Sequence, residues 1–177
     1  MIMREEQRDI VFRYKARDHS CWMVRAAMRT DLDDLVALDD ITKPVPWGRD
    51  AIGGFIGCVP GVFVLCPSNH LGWSLGAPVG FVIARWLGDE CEIMSIGVHP
   101  QFRRRGLGGM LMDAVKKTAL AYGRTSLILE VREHNKAAHS LYVRSGLLEV
   151  GRRPRYYLDT GEAAILMRGN LLLGGGE

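Results

Sequence analysis

With 177 residues the chain has the length of one domain, enough to bury about 70% of the surface that its unfolded form exposes. A formal charge of +3 with 24% charged residues is ordinary for a globular protein, so bulk electrostatics points to neither nucleic acid nor membrane. Cys21, Cys58, Cys66 and Cys91 form no CxxC pair and read as four reduced thiols of a cytoplasmic protein, and the five histidines form no HExxH array, so no metal is expected.

Residues 1–22 are charged and weakly patterned, lack the apolar stretch of a signal peptide, and predict a mobile extension. Residues 31–41 carry Leu32, Leu35, Val36 and Leu38, with Thr30 as the capping candidate, and predict a short first helix. Pro44 and Pro46 in Lys43-Pro44-Val45-Pro46-Trp47 stop it. Glycine makes residues 48–57 a poor second helix. No residue from Ala51 to Ala84 carries a formal charge, yet Gly and Pro interrupt the run before the roughly 18 apolar residues that a membrane span needs. The stretch predicts two buried antiparallel strands at 61–66 and 79–86, with the turn-forming residues 67–78 between them.

Residues 91–98 are apolar, with β-branched Ile93, Ile96 and Val98, and predict a buried strand followed by a turn at His99-Pro100. Leu107, Met110, Leu111, Ala114, Val115 and Tyr122 then repeat with helical spacing, while Asp113, Lys116 and Lys117 fall on the other side. This predicts an amphipathic helix closed by Gly123. Residues 126–131 predict a second strand, parallel to the first because the helix supplies the crossover. Between the first strand and the helix stand Arg103, Arg104, Arg105, Gly106, Leu107, Gly108 and Gly109. Glycines let backbone N–H groups approach an anion, the helix N-terminus adds partial positive charge, and the arginines add full charges. A nucleotide P-loop is excluded because no Gly-Lys-Ser or Gly-Lys-Thr follows. A dinucleotide fingerprint stays open, with Glu130 about twenty residues on, although Leu111 holds the third glycine position and the turn is long.

Val98-x-Pro100-x-x-Arg103-x-x-Gly106-x-Gly108 resembles the acetyl-coenzyme A motif of the GNAT acyltransferase superfamily. Leu129-Glu130-Val131-Arg132, then Asn135, Ala137, Ala138, Leu141-Tyr142 and Gly146, resembles its RimI-like N-terminal (α-amino) acetyltransferases. So do Arg155-Tyr156-Tyr157 and Gly161-Glu162 before Ala164 and Met167. The likeness spans Trp22 to about Leu171 and is strongest after Cys91. It implies an α/β (α+β) GNAT fold, a mixed sheet of about seven strands flanked by about four helices. On that reading residues 23–171 form the domain, 23–28 its first strand and 172–177 a tail, and native translation beginning at Met23 is one hypothesis.

The resemblance implies acetyl transfer from acetyl-coenzyme A to a protein N-terminus, for instance that of a ribosomal protein, by direct attack in a ternary complex. The thioester arm would meet the backbone of Ile96, Gly97 and Val98, the diphosphate the run from Arg103 to Gly109, and the pantetheine arm Asn135. Glu130 and Tyr142 would be general base and general acid, with Trp47, Tyr156 and Tyr157 walling the acceptor groove and the tyrosines in a hairpin loop. Plainer roles exist for each: a strand-end carboxylate, a core tyrosine, a core plug at Trp47 and exposed hairpin aromatics. Two departures stand out, Leu147 in place of a common phenylalanine and Ala163 in place of an aspartate whose loop-holding bond is then in doubt. Rival readings are acetylation of a small-molecule amine or a lysine, a nucleic-acid module using Arg103 to Arg105 with Arg152, Arg153 and Arg155, and a non-catalytic acetyl-coenzyme A binder. A monomer or weak dimer is expected, with no membrane partner.

Overall fold

A computed structural model describes residues 10–16 and 18–172. The chain runs β1 (Val11–Lys15), β2 (Cys21–Ala26), α1 (Leu32–Thr42), α2 (Arg49–Phe55), β3 (Gly61–Ser68), β4 (Gly80–Leu87), β5 (Glu90–Val98), α3 (Leu107–Ala121), β6 (Ser126–Arg132), α4 (Lys136–Arg144), β7 (Leu148–Tyr157) and β8 (Glu162–Asn170). The strands form one eight-stranded sheet in the order β1-β2-β3-β4-β5-β6-β8-β7. Only β5 and β6 are parallel, and α3 is the crossover that joins them.

The sheet has a core on each face. On one, Leu107, Leu111, Ala114 and Val115 of α3 pack against Ile93 of β5 and Leu127, Leu129 and Val131 of β6. On the other, Leu35 and Leu38 of α1 and Ile52 of α2 cover Val62, Val64, Phe81 and Ile83. Gly97 of β5 faces this second core at close range. A Cβ there would lie 2.7 Å from Thr42 Oγ1 and 2.8 Å from Phe81 Cε1. Gly97→Ala is therefore expected to lower stability by about 1–3 kcal/mol through overpacking. Each kcal/mol should appear as roughly 2–4 °C in Tm for a domain of this size. An unchanged melting temperature would mean that α1 yields freely at this point.

The N-terminal expectation is corrected for the described residues. Val11–Lys15 is a strand, in register with β2 from Val11↔Arg25 to Lys15↔Cys21. Phe12 and Tyr14 turn towards α3, where the Tyr14 hydroxyl donates to Asp113 Oδ2 at 2.8 Å and Lys117 Nζ lies 5.4 Å from the Tyr14 ring. This is the eighth strand, and β2 starts at Cys21, ahead of the expected boundary. The expectations for residues 1–9 and 173–177 lie outside the described residues.

The first helix is also capped differently. Thr30 falls in a short 3-10 turn, Arg29–Asp31, that leads into α1. Asp31 turns its carboxylate back, accepting the Met28 N–H at 2.7 Å and both terminal nitrogens of Arg25 at 2.7 and 2.8 Å. The remaining predicted elements of the middle of the chain match the observed ones to within two residues at most ends.

Candidate active site

The cleft begins with a mismatch of one residue. Between β4 and β5 the register jumps from Ile83↔Ser95 to Ala84↔Ile93, so Met94 has no partner and forms a β-bulge. The parallel ladder between β5 and β6 ends at the same level, at Ile93↔Leu129. Beyond it β5 follows β4 while β6 follows β8, and a gap opens between residues 94–98 and 130–132. The His99 N–H goes to Val79 O at 2.8 Å, towards β4. By strand alternation the N–H and C=O groups of Gly97 also face β4, and those of Ile96 and Val98 face the gap. The Val98 carbonyl is taken by Nε of Arg103 at 2.9 Å, which folds this arginine back on the strand.

At the mouth of the gap the chain makes a 3-10 turn, Pro100–Phe102, and enters α3 through two left-handed residues, Arg104 at φ +64° and Gly106 at φ +83°. The N–H groups of Arg103, Gly109 and Met110 have backbone acceptors. Among the described residues those of residues 104–108 have none. Five consecutive free N–H groups at a helix N-terminus, with Arg103, Arg104 and Arg105 all exposed, fit a diphosphate. The glycines divide the work: an added Cβ at Gly106 or Gly109 meets nothing within 4 Å, whereas at Gly108 it would sit 3.0 Å from Leu141 Cδ2. Gly108 thus lets α4 close on α3, and Gly106 and Gly109 leave room outside. Beside them a cavity of about 280 Å³ is lined by Gly106, Gly109, Asp113, Lys116, Leu141 and Arg144. A larger one, about 790 Å³ and bordered by Arg25, Met28, Gly53 and Cys58, holds none of the expected site residues.

On β6, Leu127, Leu129 and Val131 belong to the α3 core, so Glu130 and Arg132 face the opposite side. Arg153 Nη1 lies 2.6 Å from Glu130 Oε1. The same carboxylate, together with burial, raises the pKa of the Tyr156 hydroxyl. Tyr156 and Tyr157 end the strand β7; they are not in a loop, and this corrects the prediction. Pro154 is tolerated because β7 is the outer strand, and the register shifts between Arg153 and Tyr157, with Arg155 at φ +53°, so that Tyr157 is partly buried while Tyr156 stays exposed. The two rings meet edge-on at 5.2 Å. Tyr142 on α4 is 6% exposed, and its hydroxyl makes no hydrogen bond among the described residues. Burial, with a smaller contribution from Tyr157, pushes this phenol well above its ordinary pKa. Glu130, Tyr156 and Tyr157 therefore stand together around Arg153, whereas Tyr142 lies in the core on the α3 side of β6.

Two other expected residues have structural employment. Asn135 is the N-cap of α4, its Oδ1 accepting from Ala138 N at 3.1 Å. Trp47 is half-buried: its ring packs on Phe55 at 5.8 Å and lies 4.8 Å from Lys43 Nζ, and its N–H goes to Asp39. Asp39, fully buried, also pairs with Lys43 Nζ at 2.7 Å, and burial lowers the pKa of that lysine. These contacts fix the Pro-Trp loop to α1 and α2 and do not join it to the tyrosines. The four-residue spacing of Asp39 and Lys43 is the sequence signal that could have found this pair. The loop at residues 158–161 is held although Ala163 replaces aspartate, because Glu162 accepts from the His134 N–H at 2.5 Å. Among the described residues no cluster of metal-ligating side chains is present, and no helix is long and apolar enough to cross a membrane.

A family model described as Acetyltransferase (GNAT) family matches residues 32–147. The chain is 40% identical over 143 residues to the [ribosomal protein bS18]-alanine N-acetyltransferase of Salmonella typhimurium, covering 78% of this chain and 90% of that one. An uncharacterized protein of Mycobacterium leprae is 40% identical over 79 residues, 45% of this chain, of which the chain spans 21%. Among solved structures, the ribosomal-protein-S18-alanine N-acetyltransferase from Escherichia coli superposes with a TM-score of 0.74 at 28% identity, covering 85% of this chain and 94% of that one. NAA60 of Arabidopsis thaliana, solved in complex with acetyl-CoA, has the same fold, with a TM-score of 0.73 at 20% identity over 84% of this chain and 99% of that one.

Proposed function

The chain belongs to the GNAT acetyltransferase family, and from that premise we propose that it transfers an acetyl group from acetyl-coenzyme A to the α-amino group of a protein N-terminus, with a ribosomal protein as the model acceptor. The observation that carries the reading is the gap between β5 and β6, with free backbone N–H groups at one end, Glu130 with Tyr156 and Tyr157 on one side and Tyr142 on the α3 side. Acetyl-coenzyme A supplies the acetyl group as a thioester. The N–H groups of residues 104–108, with Arg104 and Arg105, hold its diphosphate, Ile96 and Val98 offer backbone groups to the arm, and Asn135 stands at the β6–α4 turn beside it. The Val98 N–H, which faces the gap while its carbonyl is held by Arg103, is placed to donate to the developing oxyanion.

Glu130 takes the proton of the incoming ammonium, and the neutral amine attacks. Making an α-amine neutral at pH 7 costs roughly 1 kcal/mol, against roughly 4.6 for a lysine side chain. One carboxylate that already serves Arg153 and Tyr156 suits the smaller demand. Tyr142 faces the departing sulfur, which leaves as the thiolate when the C–S bond breaks and takes up, through water, the proton that the nitrogen loses as the amide forms. The raised pKa of Tyr142 places it further above that of a thiol near 8.5, so it acts as a hydrogen-bond donor and keeps its proton. Because its hydroxyl has no partner to lose, Tyr142→Phe is expected to leave Tm unchanged while kcat falls about ten- to a hundredfold. A lower Tm with full kcat would assign this tyrosine to the core alone.

The test of the whole reading is thiol release from acetyl-coenzyme A with short peptides that differ in their first residue, an N-blocked lysine peptide and a polyamine. Turnover is expected with free N-terminal peptides. Turnover with the polyamine alone would overturn it.

A further inference from the structure

The side chains of β6 that face the acceptor side come two residues apart, and each meets one tyrosine of β7. Glu130 meets Tyr156 through Arg153, which pairs with the carboxylate and lies 5.6 Å from the ring, and Arg132 holds Tyr157. The Arg132 guanidinium lies 4.0 Å from the centroid of the Tyr157 ring. Its Nη2 is 2.8 Å from Asp159 Oδ2, and its Nη1 is 3.1 Å from Thr160 Oγ1 and 3.6 Å from Glu162 Oε2. Glu162 is itself held in the β6–α4 turn, where His134 Nδ1 lies 2.9 Å from Oε1. The guanidinium plane is thus fixed from three directions by the turn that follows Tyr157, and it is mostly shielded, with its side chain 21% exposed. A point charge on a flexible stem cannot reproduce this, because both the flat stack and the forked donors are properties of arginine.

We infer that Arg132 is a positioning residue for the acceptor: it sets where Tyr157, and through the edge contact Tyr156, stands over the amine side of the gap. The inference rests on the acetyltransferase reading and deepens it. Arg132 follows Glu130 by two positions on one strand, so the proton acceptor and the wall that orients the amine share a rigid support. The partners of Arg132 among the described residues lie in the β7–β8 hairpin, whereas the proposed anion cradle is built from the β5–α3 turn. Displacing the wall loosens the hold on the peptide equally before and during reaction, so it raises KM and leaves donor binding and kcat intact.

The experiment compares Arg132→Lys and Asp159→Asn with the wild-type enzyme, measuring KM and kcat for an N-terminal peptide, Kd for acetyl-coenzyme A by calorimetry, and Tm. Arg132→Lys is expected to raise the peptide KM about tenfold, with kcat and the acetyl-coenzyme A Kd near wild type. Asp159→Asn keeps the arginine and loosens its grip, so it should move KM the same way by a few-fold. Wild-type peptide KM in a folded Arg132→Lys enzyme, or loss of acetyl-coenzyme A affinity in parallel with KM, overturns the inference. Should Arg132→Lys fail to fold, an unchanged KM in Asp159→Asn does so. A wild-type enzyme that acetylates no N-terminal peptide removes the acetyltransferase reading and this inference together, whereas an unmoved KM in an active enzyme removes the inference alone.

Discussion

Replacing Gly109 by aspartate is expected to weaken acetyl-coenzyme A binding by about thirtyfold without lowering thermal stability. Gly109 is the third residue of α3, and an added Cβ meets nothing there within 4 Å, so the fold accommodates the side chain. An aspartate in the first turn also complements the helix dipole, and any residue other than proline improves on glycine within a helix, so α3 itself should gain slightly. The same carboxylate occupies the open side of the cradle, beside the free N–H groups of residues 104–108. A unit charge some 4 Å from a phosphate at a surface-like effective dielectric costs about 4 kcal/mol, and screening leaves roughly half of that. Gly108 is the instructive control. Its Cβ would press on Leu141, so bulk there should lower Tm before it reports on any ligand. Calorimetric titration with melting curves for both variants checks the pair. Full affinity in Gly109→Asp would place the diphosphate elsewhere.

Changing Glu130 to glutamine should lower kcat at pH 7 by roughly sevenfold while leaving the acetyl-coenzyme A Kd unchanged. Glutamine retains the size of the side chain, but it takes no proton and forms no ion pair with Arg153. Only amine that is already neutral would then react. With an α-amine pKa near 7.8, that fraction is about one in seven at pH 7 and nearly complete above pH 9. The variant's rate should climb through this range and then level off. A pH profile parallel to that of the wild type, at an unreduced rate, would rule the carboxylate out as the base.

What could be read from the sequence was what depends on neighbours in the chain. The α3 stripe, the two strands it joins and the glycine closure at Gly123 rest on local spacings, and the structure has each of them, with the glycine-rich turn at the head of α3 where the spacing puts it. Strand β1 escaped because five residues with two inward side chains give too short an alternation to separate from a charged tail. The strand nature of Tyr156 and Tyr157 was hidden by Pro154 and the surrounding arginines, which normally mark a turn; an outer strand with a bulge accepts them. The site shows the same division. Glu130, Tyr142 and the tyrosine pair are visible as motif positions, but what places them is not. Arg153 lies 23 residues beyond Glu130 and Asp159 lies 27 beyond Arg132, and only the paired strands bring them together. Glu162 carries the loop in place of the missing aspartate because His134 happens to stand across from it, again a tertiary fact.

The spare residue at position 94 has a consequence for how such a protein can change. Cys91 and Ile93 before it and Ile96 and Val98 after it all pack towards α3, so the extra unit shifts the strand's count without turning any core side chain to the wrong side. The opening is thus a property of backbone length and needs no wedge of bulky groups to prop it apart. Side chains along its rim can be exchanged without closing the crevice, because its opening is set by the count of backbone residues and not by their bulk.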